Sequence, residues 1–243
     1  MARSPQQIVA TIEAVRKASK TERGGGRLRG ITELLKAAFY PDYRYTGKSS
    51  GDEDAALRAA GARVRKRAGG KTRKGGMSRG SKLDNVVRGL VERTITKASL
   101  RTSVGRDGTT VMQALRAKNL QPLVCQVPCM QRDWGLWTSI DIVAFDVRRK
   151  RIVLVEQKSG YDSYYKRSNA MMHHELTDTP NSPYYQHMLQ IAVARVLFEA
   201  HYGLPADTVV ARVTGGGVFF YPLEDGISAR ARAIVARVSS RST

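Results

Sequence analysis

Three ionisable residues stand inside two apolar stretches of this chain. Asp141 lies in Thr-Ser-Ile-Asp-Ile-Val-Ala-Phe-Asp-Val, and Glu156 and Lys158 lie in Ile-Val-Leu-Val-Glu-Gln-Lys-Ser-Gly. A basic turn, Arg148-Arg149-Lys150-Arg151, joins the two stretches. Ionisable groups in an apolar strand are costly unless paired or metal-bound. Glu156 and Lys158 are two residues apart, so a strand puts both on one face. A turn centred on Arg148-Arg149 sets Asp146 opposite Arg151 and, further out, Asp141 opposite Glu156, with Cβ atoms about 5 Å apart. Carboxylates that close repel, and one pKa rises unless a cation lies between them. A divalent ion held by oxygen ligands resolves the conflict, and magnesium needs only one or two protein carboxylates. Lys158 beside them could stabilise a developing negative charge or help to activate water. The competing reading is a buried ion cluster, Lys158 with Glu156 or Asp141, which leaves one charge unbalanced.

The two stretches are apolar on both faces, as in central strands covered by helices on both sides. That places the charged residues at a sheet edge or end. The remaining pattern supplies the covering elements. Ser4-Pro5 opens a helix to about Lys20 with Ile8, Ile12 and Val15 on one face, and a second runs from Ile31 to Tyr40, ended by Pro41. Further helices are expected over Asp52–Arg67, Gly80–Lys97 and Thr109–Lys118, and a strand over Pro122–Met130. Residues 161–183 read as polar and irregular. A strong helix follows over Tyr184–Tyr202, stopped by Gly203 and Pro205. Thr208–Val213 and Val218–Pro222 form a strand pair around three glycines, and Ile227–Val238 is a closing helix. The alternation argues an α/β or α+β domain over residues 80–243, with residues 1–79 a basic, helical and flexible N-terminal region.

The chain carries 41 Lys and Arg against 21 Asp and Glu, a net charge of +20. Such an excess points to a polyanionic partner, DNA or another nucleic acid first. The charge is clustered: residues 61–82 hold Arg63, Arg65, Lys66, Arg67, Lys71, Arg73, Lys74, Arg79 and Lys82 and no acid. That segment is too polar to build a core and is expected to be a mobile arm that contacts phosphates. A solvated linker or a localisation signal is the alternative. Gly69-Gly70-Lys71-Thr72 lacks the glycine spacing of a phosphate-binding loop. Tyr43 and Tyr45 suit a packed turn better than base stacking. The two cysteines, Cys125 and Cys129, are too few for a disulfide scaffold or a four-thiolate cluster and fit a reducing compartment. No apolar run has membrane-spanning length, and no apolar signal core opens the chain, so an intracellular, nucleic-acid-associated protein is expected.

Asp141, the short hairpin and Glu156-Gln157-Lys158 together resemble the PD-(D/E)XK nuclease superfamily, with Ile140 in place of the proline. Pro41-Asp42 has no E-x-K at strand spacing behind it. His187-Met-Leu-Gln190-Ile-Ala-Val-Ala194 resembles the H-x-x-Q-L-x-x-Y element of the RecB and lambda-exonuclease-like branch, with Ala194 where the tyrosine stands. Arg79-Gly80-Ser81-Lys82-Leu83-Asp84 resembles the entry helix of the same group, although Asp84 also suits an ordinary acid in a first helical turn. The resemblance covers about residues 80–222. It implies a restriction-endonuclease-like central mixed sheet flanked by helices, with the basic N-terminal region as an extension. It also implies phosphodiester cleavage dependent on magnesium or manganese. Asp84, Asp141, Glu156 and the Gln157 carbonyl would be metal ligands, and Asp141, Glu156 and Lys158 the catalytic set. Gln186 and Gln190 would join the basic residues in holding DNA. The expected function is a metal-dependent DNA nuclease of recombination, repair or replication. The alternative is a non-catalytic DNA-binding or DNA-packaging protein on the same fold.

Overall fold

Five strands between residues 120 and 222 and a short one at Arg29–Gly30 build a mixed sheet whose two faces are covered by helices. The computed structural model describes residues 3–21, 28–40, 74–160 and 165–239. The expected helix over 52–67, Pro41-Asp42, Tyr43, Tyr45 and the basic residues Arg63, Arg65, Lys66, Arg67, Lys71 and Arg73 lie outside them, as does the side chain of Lys74. The strands are β1 (Arg29–Gly30), β2 (Leu120–Gln131), β3 (Leu136–Asp146), β4 (Arg151–Ser159), β5 (Ala206–Thr214) and β6 (Gly217–Pro222). Their order is β1-β3-β4-β5-β6, with β2 also paired to β3. β4 and β5 run parallel, as do β1 and β3, and the other pairs are antiparallel. The architecture is therefore the expected mixed sheet flanked by helices.

The helices are α1 (Pro5–Thr21), α2 (Ile31–Ala38), α3 (Lys74–Val91), α4 (Lys97–Leu100), α5 (Ser103–Ala117), α6 (Pro183–Tyr202) and α7 (Ile227–Ser239). One face of the sheet carries α1, α2, α6 and α7 around a core that includes Ile8, Leu35, Leu136, Ile140, Leu154 and Leu197. The other carries α3 and α5, whose Leu83, Val87, Val111 and Leu115 bury against Ile142, Val153, Val155 and Ala211. β4 serves both sides by strict alternation: Ile152 and Leu154 face the first core, Val153 and Val155 the second. α1 and α2 are part of the first core and not an appendage to it.

Helix α6 lies in the connection between the parallel strands β4 and β5 and is buried along most of its length, from Tyr184 to Tyr202. Its ends follow the sequence signals. Ser182 accepts the Tyr185 N–H, Pro183 takes the first turn, and Gly203 closes the helix at a left-handed φ of 63°. Several elements differ from expectation. α3 begins at Lys74, inside the segment expected to be a mobile arm, and ends at Val91, short of Lys97. α5 starts at Ser103, earlier than the sequence pattern suggests, because Thr102 caps it by accepting the Gly105 N–H at 2.9 Å. Its Gly105 and Gly108 hide the apolar period, yet both are packing positions: a Cβ on Gly108 would lie 2.4 Å from Val86 Cγ1 of α3. The segment after residue 164, expected to be polar and irregular, contributes buried Tyr165, Met172, Leu176, Thr179, Asn181 and Ser182. Among the described residues no helix is long and apolar enough to cross a membrane.

Candidate active site

The β3–β4 hairpin folds in the register that the basic turn dictates. Asp146 pairs with Arg151, and Asp146 Oδ1 accepts the N–H groups of Arg148 and Arg149 at 2.9 Å, closing the turn. The ladder runs from there to Ile142 opposite Val155 and then stops. Both strands continue, but with different neighbours. β3 stays with β2 and meets β1 at Leu136 and Trp137, whereas β4 from Glu156 to Ser159 pairs with β5. The two strands therefore fork, and Asp141 and Glu156 are the first residues past the branch point.

The cause of the fork lies on β2. Gln126 has φ 50°, a left-handed conformation that is costly for a residue with a side chain. Across from it sits Asp141, between the rungs Cys125–Ile142 and Val127–Ile140. In a regular strand, residues two apart share a face. Here Cys125 and Ile142 bury in the core under α3 and α5, while Val127 and Ile140 bury in the opposite core. Both strands turn over together at this rung. The turnover removes β3 from the ladder with β4, and the Asp141 carboxylate takes the place of the lost backbone acceptor. Its Oδ2 accepts the Gln157 N–H at 2.8 Å, and its Oδ1 accepts from Gln126 Nε2 at 3.3 Å.

Glu156 and Gln157 then point to opposite faces of β4. On the α6 side, Glu156 is 2% exposed, and its Oε1 accepts from Lys158 Nζ at 2.5 Å and from Gln190 Nε2 at 2.7 Å. On the α3 side, Gln157 Nε2 donates to Asp84 Oδ1 at 2.8 Å. The sequence-derived residues Asp84, Asp141, Glu156, Gln157, Lys158 and Gln190 thus gather around one strand end, linked through Gln157 and flanked on both faces. The expected metal set is looser than the resemblance implies. Among the described residues no three His, Cys, Asp or Glu side chains stand close enough together to hold one metal ion. Asp84 approaches from the opposite side of the sheet to Glu156, and the Lys158 ammonium occupies a Glu156 oxygen.

Electrostatics reflects the crowding. Burial, and then the Glu156 carboxylate, push the Asp141 carboxyl well above the ordinary carboxylate range, with Lys158 pulling the other way. Burial also raises Asp84; Lys158 opposes this, Glu156 adds to it, and the Gln157 hydrogen bond opposes it. Gln157 Oε1 is buried without a hydrogen-bond partner. Three carboxylates and an unsatisfied amide oxygen are the hard oxygen donors that magnesium or manganese prefers. The residues fit such an ion in kind.

The residues expected to touch DNA are less exposed to a ligand than the sequence suggests. Gln190 commits its amide to Glu156, and Gln186 donates to Asn181 Oδ1 at 2.8 Å. Arg79 is exposed and pairs with Asp107 at 2.7 Å. His187, in the same helix, is buried and meets the Tyr165 hydroxyl through Nδ1 at 3.3 Å; burial lowers its pKa well below the usual range. Gln126 was not legible from sequence. A glutamine mid-strand gives no turn signal, and only its position opposite Asp141 marks it.

No family model matches the sequence, and no curated protein matches it. Among solved structures, a protein from Eubacterium rectale provisionally named an exonuclease superposes with a TM-score of 0.46 and 11% identity, covering 89% of this chain and 83% of that one. The protein SSO0001 superposes with a TM-score of 0.37 and 11% identity, covering 96% of this chain and 83% of that one. Neither superposition is close enough to assign a function.

Proposed function

We propose that the forked strand end is the catalytic centre of a metal-dependent DNA nuclease of the RecB and lambda-exonuclease-like branch, processing DNA in recombination, repair or replication. The observation that carries this reading is the convergence of Asp141, Glu156 and Lys158 at the one point where the sheet opens. Asp141 and Glu156, with the Gln157 carbonyl, would hold magnesium or manganese, which needs only one or two protein carboxylates. When bound, such an ion supplies Lewis-acid polarisation of a phosphodiester oxygen and activation of a water nucleophile. The protein groups do the rest. Asp141 holds the Gln157 backbone in place, and Gln190 fixes the Glu156 carboxylate. Lys158 orients the attacking water and offsets the negative charge that builds on the phosphoryl oxygens. Arg79 and the basic residues of 61–82 draw the polyanion toward the fork.

The Lys158–Glu156 pair at 2.5 Å favours a second reading, a non-catalytic DNA-binding protein in which the triad is an internal ion cluster. One experiment separates the two. Linear, single-stranded and branched DNA are incubated with the protein and magnesium, manganese or chelator, beside Lys158→Ala and Asp141→Ala. Cleavage that needs the metal and vanishes in both variants supports the nuclease. Cleavage that persists in the variants refutes this site, and binding without cleavage under either metal supports the second reading.

A further inference from the structure

The candidate centre continues sideways into a recess that the proposed chemistry does not use. Lys158 on β4 stands beside Arg212 on β5, and Arg212 stands opposite Phe219 on β6. Alternation puts all three on the α6 side of the sheet, as Glu156, Val210 and Tyr221 form the next row inward. The row spans two strand spacings, about 10 Å or roughly the rise of three nucleotides along one strand. Beside it opens a recess of about 700 Å³ lined by Tyr165, Lys166, Arg212, Gly216, Phe219 and Tyr221. Among the described residues no acidic side chain lines it.

The recess is a stacking column with one open end. The Arg212 guanidinium lies between two rings, 4.9 Å from the Tyr165 centroid and 5.8 Å from the Phe219 centroid. Arg212 also donates to the Tyr221 hydroxyl at 3.3 Å, and Tyr165 packs on Tyr221 with centroids 5.3 Å apart. The inner members are therefore fixed by the core. Phe219 at the outer end is 48% exposed, one of the few large apolar side chains left open to solvent. An exposed aromatic ring backed by a guanidinium and flanked by an ammonium group suits a nucleobase joined to a phosphate. A flat apolar ligand alone would not need Lys166 and Arg212, and an inorganic anion would not need Phe219.

We infer that this recess receives an unpaired nucleotide of the DNA strand entering the fork, its base stacked on Phe219 and its phosphate near Lys166 and Arg212. The assignment rests on the nuclease reading for the direction of the strand, but the binding does not require cleavage. It makes the protein selective for single-stranded ends or frayed duplex over fully paired DNA, because a paired base must first be unpaired and unstacked, at about a few kcal/mol, to meet Phe219.

The test is fluorescence anisotropy in chelator with a labelled single-stranded oligonucleotide, the same strand in duplex form, and a series with one abasic position moved along the strand. Phe219→Ala is expected to weaken the single strand by about 5- to 100-fold, the range carried by one stacked base, and to leave the duplex unchanged. Phe219→Trp is expected to retain affinity. One abasic position is expected to reproduce the loss in the native protein and to add nothing to Phe219→Ala. Equal weakening of single strand and duplex overturns the inference, as does an abasic series with no position that couples to Phe219. Phe219 is half exposed, so its replacement spares the core, and a thermal melt of each variant confirms that. A separate incubation with manganese distinguishes the two readings: no cleavage with the stacking pattern intact refutes only the nuclease.

Discussion

Replacing Lys158 by methionine tests the electrostatic account of the fork without any substrate. The ammonium sits 2.5 Å from Glu156 Oε1, with side-chain exposures of 20% for Lys158 and 3% for Glu156. Methionine keeps the stem and removes the charge, leaving a buried carboxylate with Gln190 as its remaining side-chain donor at 2.7 Å. Losing one charged hydrogen bond costs about 1.5–3 kcal/mol, and stranding a buried charge costs about 3–5 kcal/mol. The retained Gln190 contact and the partial exposure of Lys158 place the expected loss at about 2–4 kcal/mol. For a chain of this size that corresponds to a Tm drop of roughly 5–15 °C in chelator at neutral pH. The double variant Lys158→Met/Glu156→Gln removes both charges and is expected to recover most of the loss. Manganese is expected to restore part of the stability of the single variant and none of the double. Urea and thermal denaturation measure all three. A single variant as stable as the native protein, or a double variant no better than the single, would show that the pair does not neutralise a buried charge.

Other substitutions address separate parts of the argument. Because the folded Asp141 carboxyl titrates above its unfolded value, its contribution is fully present below about pH 4 and is lost as pH rises through the folded value. Asp141→Asn retains an oxygen for the Gln157 N–H and is expected to flatten that decline in chelator. A decline of unchanged slope, followed by denaturation at pH 4 to 8, would contradict the assignment. Gly105→Ala would place a Cβ 2.2 Å from the Ser99 carbonyl oxygen and is expected to cost about 3 kcal/mol, more than Gly108→Ala, which meets only side-chain atoms of Val86 and Leu90. Replacing Arg63, Arg65, Lys66 and Arg67 by alanine is expected to reduce the salt slope of DNA binding by about 3, four phosphate contacts at roughly 0.7–0.9 each. An unchanged slope in a salt titration would remove them from the interface.

The hairpin was legible because two local rules meet there. The basic turn sets the register and carries the ladder as far as Ile142–Val155, but the expected pairing of Asp141 with Glu156 lies one rung beyond where it stops, because β2 and β3 turn over at Asp141. Helices α1 and α6 were legible for a similar reason, since their caps and apolar spacing agree. What the sequence hides has physical causes. Asp84 carries no mark of which face α3 covers, so its approach to the strand end through Gln157, from the side away from Gln190, appears only in three dimensions. Gln126 occupies a backbone region that its type disfavours, and local propensity points away from it. Tyr165, Met172 and Leu176 are buried without any helical or strand period, so a polar segment conceals a packed one. The early start of α5 rests on a threonine cap and on glycines used for close packing, both of which read as loop.

The left-handed glutamine and the aspartate facing it can be viewed as a single inserted rung. If Gln126 and Asp141 were both deleted, Cys125 would adjoin Val127 and Ile140 would adjoin Ile142. Each pair already faces opposite cores, so uninterrupted alternation would return to β2 and β3. Deleting either residue alone would instead leave the other as an unpaired bulge in the ladder. The extra rung is thus symmetrical across the ladder, and it costs the sheet regularity in two strands at once. A more regular sheet lies two deletions away, and it would lack both the fork and the carboxylate that holds the Gln157 backbone.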